Sequence, residues 1–203
     1  MVISHTLNLN QPTRLIGSNY WLYRFFRRQK SLAKKHFLRY NQAGGSYNDL
    51  TAAAVTAFQK WAGLGRDGVA GPETQKALVR AGSPHPMGRG DANRLELWRN
   101  RQLLAVVQNN RIRRVITISS GRAGYTTPLG RFRVFSKVRD EWSRKYHAPM
   151  PYASYFSGGI AMHESDDVPG YAASHGCVRV PASWIVDVWN TATIHKQVLV
   201  LAK

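Results

Sequence analysis

At 203 residues the chain has room for one large domain or two small ones, and its 43% hydrophobic content is ordinary for a globular protein. No run of about 18 apolar residues occurs, so no transmembrane helix is encoded, and the N-terminus shows no apolar signal-peptide core. With 29 Lys+Arg against 11 Asp+Glu the formal charge is +18, which draws the protein to polyanions of any kind: nucleic acid, wall polymer or an anionic membrane surface.

Residues 1–19 are polar and aperiodic and read as a tail. From Tyr20 to Arg39 the spacing of Leu22, Phe25, Phe26, Gln29, Leu32 and Ala33 predicts a helix ringed by Arg and Lys. Asn41 to Asn48 reads as a Gly-rich turn, after which Asp49 or Thr51 can cap a second helix through Ala52, Val55, Phe58, Gln59 and Trp61. Gly63 and Gly65 end that helix, and Asp67-Gly68 makes a turn. Pro72 opens a third helix reaching Arg80.

Residues 82–92, rich in Pro and Gly, read as a linker between a helical unit at 20–81 and a second unit at 93–203. In the second unit the periodicity changes to strands, at Leu95–Trp98, Gln102–Val107, Ile112–Ser119 and Gly130–Phe135. Helical signal returns at Ala182–Trp189, before a last strand at Gln197–Leu201. The fold class expected is α+β with two domains: a small three-helix bundle followed by a mostly β, sandwich-like unit.

Chemistry concentrates in one segment, Ser174-His175-Gly176-Cys177-Val178-Arg179, which holds the single cysteine. A thiol attacks as thiolate, so it needs an imidazole or a positive field nearby. His175 and Arg179 flank it, and His163 ends the apolar run Gly159-Ile160-Ala161-Met162 upstream. A lone cysteine is also often just a small buried hydrophobe. Zinc held by Cys177, His175 and His163 is a third reading, weakened as a structural site by the absence of a second thiolate. One cysteine excludes an internal disulfide, and no phosphate loop or dinucleotide fingerprint appears.

The stretch GGIAMHESDDVPGYAASHGCVRVP, with TTPLGRFRV and MPYASYF before it, resembles the catalytic segment of L,D-transpeptidases, the YkuD-type cysteine enzymes of peptidoglycan. AAAVTAFQKWAGLGRDGVAGPETQKAL resembles the peptidoglycan-binding domain family, departing at Lys35-His36, where many members carry a glycine before an aromatic. The first resemblance implies Cys177 as nucleophile and His163 as its base, oriented by the backbone carbonyl of Glu164, where many relatives have a smaller residue. His175 is the rival base, to which the resemblance gives a positioning and oxyanion-side role beside a purely structural one, and the Gly176–Cys177 backbone supplies the oxyanion donors. Ser174 would support the loop, Arg179 would take a stem carboxylate or pair with an acid, and Tyr152 would line the groove or belong to the core. No cofactor or metal is implied. The partners implied are peptidoglycan stem peptides and glycan outside the cytoplasm, with anionic wall polymers on the basic surface and no specific nucleic acid.

Four rivals remain open. A carboxypeptidase would trim tetrapeptides with the same residues. A papain-like wall peptidase would place its base downstream, at His195. A wall-binding scaffold would do no chemistry at all. A nucleic-acid binder rests on charge alone.

Overall fold

The computed structural model describes residues 27–203. The tail at 1–19 and the start of the first predicted helix fall outside the described residues. Within them that helix (α1) runs over 27–34 and stops short of Arg39. It ends because His36 takes a left-handed φ of 69°, and Phe37 N–H then reaches back to the Leu32 carbonyl at 2.9 Å. That is the backbone geometry glycine usually supplies at a helix C-terminus, here adopted by histidine at some cost.

Helix α2 spans Asp49–Ala62 and α3 spans Pro72–Arg80. The cap of α2 is Asn48, not Asp49 or Thr51: its Oδ1 accepts from Thr51 N–H at 3.0 Å, so the helix begins one residue after the turn. Gly63 closes α2 in the left-handed region at φ 70°, and Pro72 starts α3, both as the sequence predicts. Gln59, buried on α2, ties the bundle together. Its amide donates to Asp67 Oδ1, Val69 O and Thr74 Oγ1 and accepts from Gly68 N–H.

The rest is mostly β. A five-stranded sheet has the order β3-β2-β1-β11-β4, built from Arg111–Thr117, Leu103–Gln108, Arg94–Trp98, Gln197–Leu201 and Gly130–Arg133. A second sheet has the order β10-β9-β8-β5, built from Val178–Val180, Ile160–Glu164, Ala153–Ser157 and Ser136–Val138. Trp142–Ser143 (β6) and Ala148–Pro149 (β7) form a small hairpin, and α4 spans Ala182–Thr191. Strands β5 to β7 are too short and too exposed to leave an alternating pattern, which is why periodicity does not find them.

The helical unit and the sheets share one continuous apolar core, running from Leu32, Phe37 and Phe58 to Leu104, Ile116, Trp184 and Val198. Helix α2 lies on β2 and β3. The segment 82–92 is no loose tether. Met87 and Gly88 N–H groups bond Glu96 at 2.8 and 3.2 Å, and Glu96 also takes Arg94 and Trp98 Nε1. Both members of the Arg94–Glu96 ion pair are buried, at 2% and 0% exposure. A buried charge is tolerable only when so fully bonded.

Candidate active site

Strand β10 pairs in parallel with β9, Val178 opposite Met162 and Arg179 opposite His163. Cys177, just before β10, therefore stands beside Ala161, against which it packs. Alternation along a strand puts Ala161 and His163 on one face. The thiol and the imidazole thus share that face, one strand across and two residues along.

His163 is 7% exposed, and its Nδ1 lies 2.6 Å from the Glu164 carbonyl oxygen. A carbonyl only accepts, so Nδ1 carries the proton and Nε2 keeps a free lone pair. Burial, outweighing the Glu164 hydrogen bond, holds the imidazole below its usual 6.5, with Arg179 adding to the effect. Burial likewise pushes the Cys177 thiol up, although the Ala161 backbone N–H and Arg179 pull the other way. The thiol points at Gly159 O, 3.7 Å away. At neutral pH the pair rests as thiol and neutral imidazole, an arrangement suited to proton transfer during attack.

The loop bearing Cys177 is held from both ends. Ser174 Oγ donates to Cys177 O at 2.5 Å and accepts from Gly176 N–H at 3.1 Å. The Gly176 N–H is thus already engaged. Of the two backbone donors expected for an oxyanion, it is the less suited. Gly176 itself sits at φ 116°, a conformation that side-chain-bearing residues rarely adopt. Thr127, fully buried, donates to Gly176 O at 2.6 Å and accepts from Gly121 N–H at 3.0 Å. The TTPLG segment therefore works as a brace under the loop.

His175 is engaged by other groups. Its ring is stacked on Tyr146 of the β6–β7 hairpin at 4.5 Å and meets Tyr125 edge-on at 4.9 Å. Arg122 Nη2 donates to its Nε2 at 2.7 Å. Desolvation, then the charges of Arg122, Arg179 and Lys145, hold it below its ordinary value. Sequence reasoning singled out none of Arg122, Tyr125 or Tyr146, because each reaches His175 from a distant, irregular segment. Arg179 pairs with Asp167 Oδ2 at 2.5 Å, the acid-pairing alternative for that residue. Tyr152 packs on Trp189 of α4 at 5.7 Å, among core residues. Tyr155 instead joins Cys177 over Met150, Ala153 and Ala161. Its phenol is pushed up to about 12 by burial and by Glu141, with a smaller effect from Cys177.

Cys177, His175 and His163 form no metal-holding cluster, nor does any other group of three His, Cys, Asp or Glu among the described residues. His195, the downstream alternative base, lies in the turn into β11, its carbonyl accepting from Arg133 at 2.8 Å, in the sheet that does not carry Cys177.

Residues 93–200 match the YkuD family, described as an L,D-transpeptidase catalytic domain, and residues 28–78 match a putative peptidoglycan-binding domain. No curated protein matches the chain. Among solved structures, the L,D-transpeptidase from Xylanimonas cellulosilytica DSM 15894 is 35% identical with a TM-score of 0.79, covering 87% of this chain and 92% of that one. An L,D-transpeptidase from Stackebrandtia nassauensis shares the fold at 24% identity and TM-score 0.57, covering 88% of this chain and 90% of that one. One from Mycobacterium tuberculosis H37Rv does so at 22% and 0.51, covering 55% of this chain and 58% of that one.

Proposed function

We propose that this chain, which belongs to the YkuD-type L,D-transpeptidase family and carries a peptidoglycan-binding-type bundle, forms 3→3 cross-links by cysteine acyl transfer. The donor is a tetrapeptide stem of peptidoglycan. His163 Nε2 takes the Cys177 proton as Sγ attacks the carbonyl of the third residue. The Cys177 N–H, rather than the engaged Gly176 N–H, meets the developing oxyanion. The amide C–N bond breaks, the imidazolium returns its proton to the departing D-alanine, and a thioester remains on Cys177. An amine from a second stem then attacks that thioester, restoring the thiol and completing the cross-link.

The observation that carries this reading is the Nδ1 contact of His163 with Glu164 O, which leaves Nε2 lone-paired on the nucleophile's side of the sheet. Glu164 is larger than the residue many relatives have there, yet only its backbone carbonyl is needed. Ser174 and Thr127 fix the loop, and His175, with its partners Arg122, Tyr125 and Tyr146, shapes the rim. A stem-peptide substrate places the protein outside the cytoplasm, where a charge of +18 favours anionic wall polymers.

Purified disaccharide-tetrapeptide incubated with the protein tests this by mass spectrometry. Dimers lacking one D-alanine, made by wild type and not by Cys177→Ala, are expected. Tripeptide monomers alone would identify a carboxypeptidase, with water replacing the acceptor amine. Products from Cys177→Ala would remove the nucleophile.

A further inference from the structure

The loop at 165–173 joins the strand that bears His163 to the motif that bears Cys177. Its path is held carbonyl by carbonyl. Lys60 Nζ, from α2, donates to Pro169 O at 3.5 Å, and Arg66 Nη1, from the turn after α2, donates to Gly170 O at 2.6 Å. Ser119 Oγ then donates to Tyr171 O at 2.7 Å, and Ala173 and Ser174 N–H bond Ser120 O. Among the described residues, the Pro169 and Gly170 carbonyls are held by side chains of the helical bundle alone.

Lys60 is the more deeply buried of the two, while Arg66 makes the shorter bond to the loop. Lys60 is 1% exposed, and besides Pro169 O it reaches Thr117 Oγ1 at 2.7 Å, Ile118 O at 2.8 Å and Gln102 O at 3.2 Å. One ammonium thus bridges the bundle, the end of β3, the residue before β2 and the loop. Gly170 passes so near Arg66 that an added Cβ would lie 2.9 Å from the Arg66 Cβ. Upstream in the same loop, Asp167 holds Arg179, two residues past Cys177. Downstream, the loop delivers Ser174, which grips both Gly176 and Cys177.

We propose that the helical bundle is a positioning element of the catalytic centre, with Lys60 and Arg66 as the residues that fix the base-to-nucleophile loop and, through Asp167 and Ser174, set Arg179 and Cys177. This goes beyond a bundle that only holds wall polymer, and it rests on the reading of Cys177 as nucleophile. The ammonium has three protons for four acceptors, so the longest contact, to Pro169, is the first to weaken. Burial, with Arg66 adding its charge, pushes Lys60 down to about 7. No carboxylate lies within ion-pair distance of it among the described residues. Its other close partners are neutral oxygens.

The test uses the full chain with Arg66→Ala, Arg66→Lys and Lys60→Met, beside Cys177→Ala. Arg66 is exposed, so Arg66→Ala is expected to melt with wild type. Its kcat on disaccharide-tetrapeptide should fall by up to about 100-fold, the cost of misplacing a reacting group by about 1 Å, with KM within about twofold. Hydrogen exchange should quicken across 165–174, and the pH profile of Cys177 alkylation should shift upward as Arg179 loosens. Arg66→Lys should recover part of kcat, and Lys60→Met should lose more than Arg66→Ala. If Lys60→Met does not fold, the Arg66 pair decides alone. An Arg66→Ala protein with wild-type kcat, exchange and alkylation profile would overturn the proposal. Turnover by Cys177→Ala would instead overturn the nucleophile, a separate and visible result.

Discussion

His163 and Glu164 are consecutive, yet the Nδ1 of the first meets the carbonyl oxygen of the second at 2.6 Å, within one turn of backbone. The imidazole is thus oriented by its own strand, so the base proposed here needs no third side chain. Because the acceptor is a carbonyl and not a carboxylate, it fixes the tautomer without adding a full negative charge to raise the imidazole.

That relationship sets the pH dependence. Burial holds His163 below 6.5 and Cys177 above 9.0. In the proposed mechanism the neutral imidazole is the active base, so lowering its pKa extends activity to the acid side. The acid limb of kcat/KM should therefore titrate below 6.5, with no fall at the alkaline side until pH exceeds the usual thiol value. His163→Ala should lose the acid limb and about 100- to 10,000-fold in rate, the usual contribution of a general base. Initial rates between pH 4.5 and 10 check both.

Gly121 bears directly on the loop that carries Cys177. A Cβ there would collide with Tyr125 O and lie 2.7 Å from Thr127 N and 2.9 Å from Gly176 Cα, all backbone. Gly121→Ala should therefore displace the loop, costing about 1–3 kcal/mol as an overpacked site and most of the activity. Gly65→Ala, with nothing within 4 Å of the added carbon, is the matched control. Thermal melts and turnover of the two variants separate them.

Glu96→Gln should destabilise the protein by about 3–5 kcal/mol, the cost of leaving a buried guanidinium without its counter-ion. The same substitution weakens the contacts to Met87 and Gly88, so proteolysis within 82–92 should accelerate with it. Urea unfolding with limited proteolysis reads both effects.

Lys60 gives stability a pH slope of definite sign. Its folded value is about 7 against 10.5 for a free lysine, so between these the unfolded chain binds more protons. Stability from this group therefore rises with pH across that window. Melting temperatures from pH 7 to 10 should show a steeper rise, or a shallower fall, in wild type than in Lys60→Met.

These cases also mark what the sequence discloses. Gln197–Leu201 and the start of α3 at Pro72 agree with expectation because an apolar run and a Pro are local signals. His36 hides the end of α1, since nothing local distinguishes a histidine that adopts a positive φ from one that continues a helix. Cys177 and His163 stand out in the sequence through their motifs. Thr127 under Gly176, Tyr146 on His175 and Lys60 beneath the loop do not, because each contact spans 29 residues or more. Lys60 in particular draws no attention in the sequence, since its partners lie on strands and loops far along the chain.

The central claim is a thioester on Cys177, and intact-protein mass spectrometry after acid quench tests it most directly. Wild type mixed with a tetrapeptide donor, without acceptor, should gain the donor mass less one alanine, on the peptide containing Cys177. His163→Ala should acylate far more slowly, and Cys177→Ala should gain nothing. The same mass gain in Cys177→Ala, or on a peptide that lacks Cys177, would contradict the account.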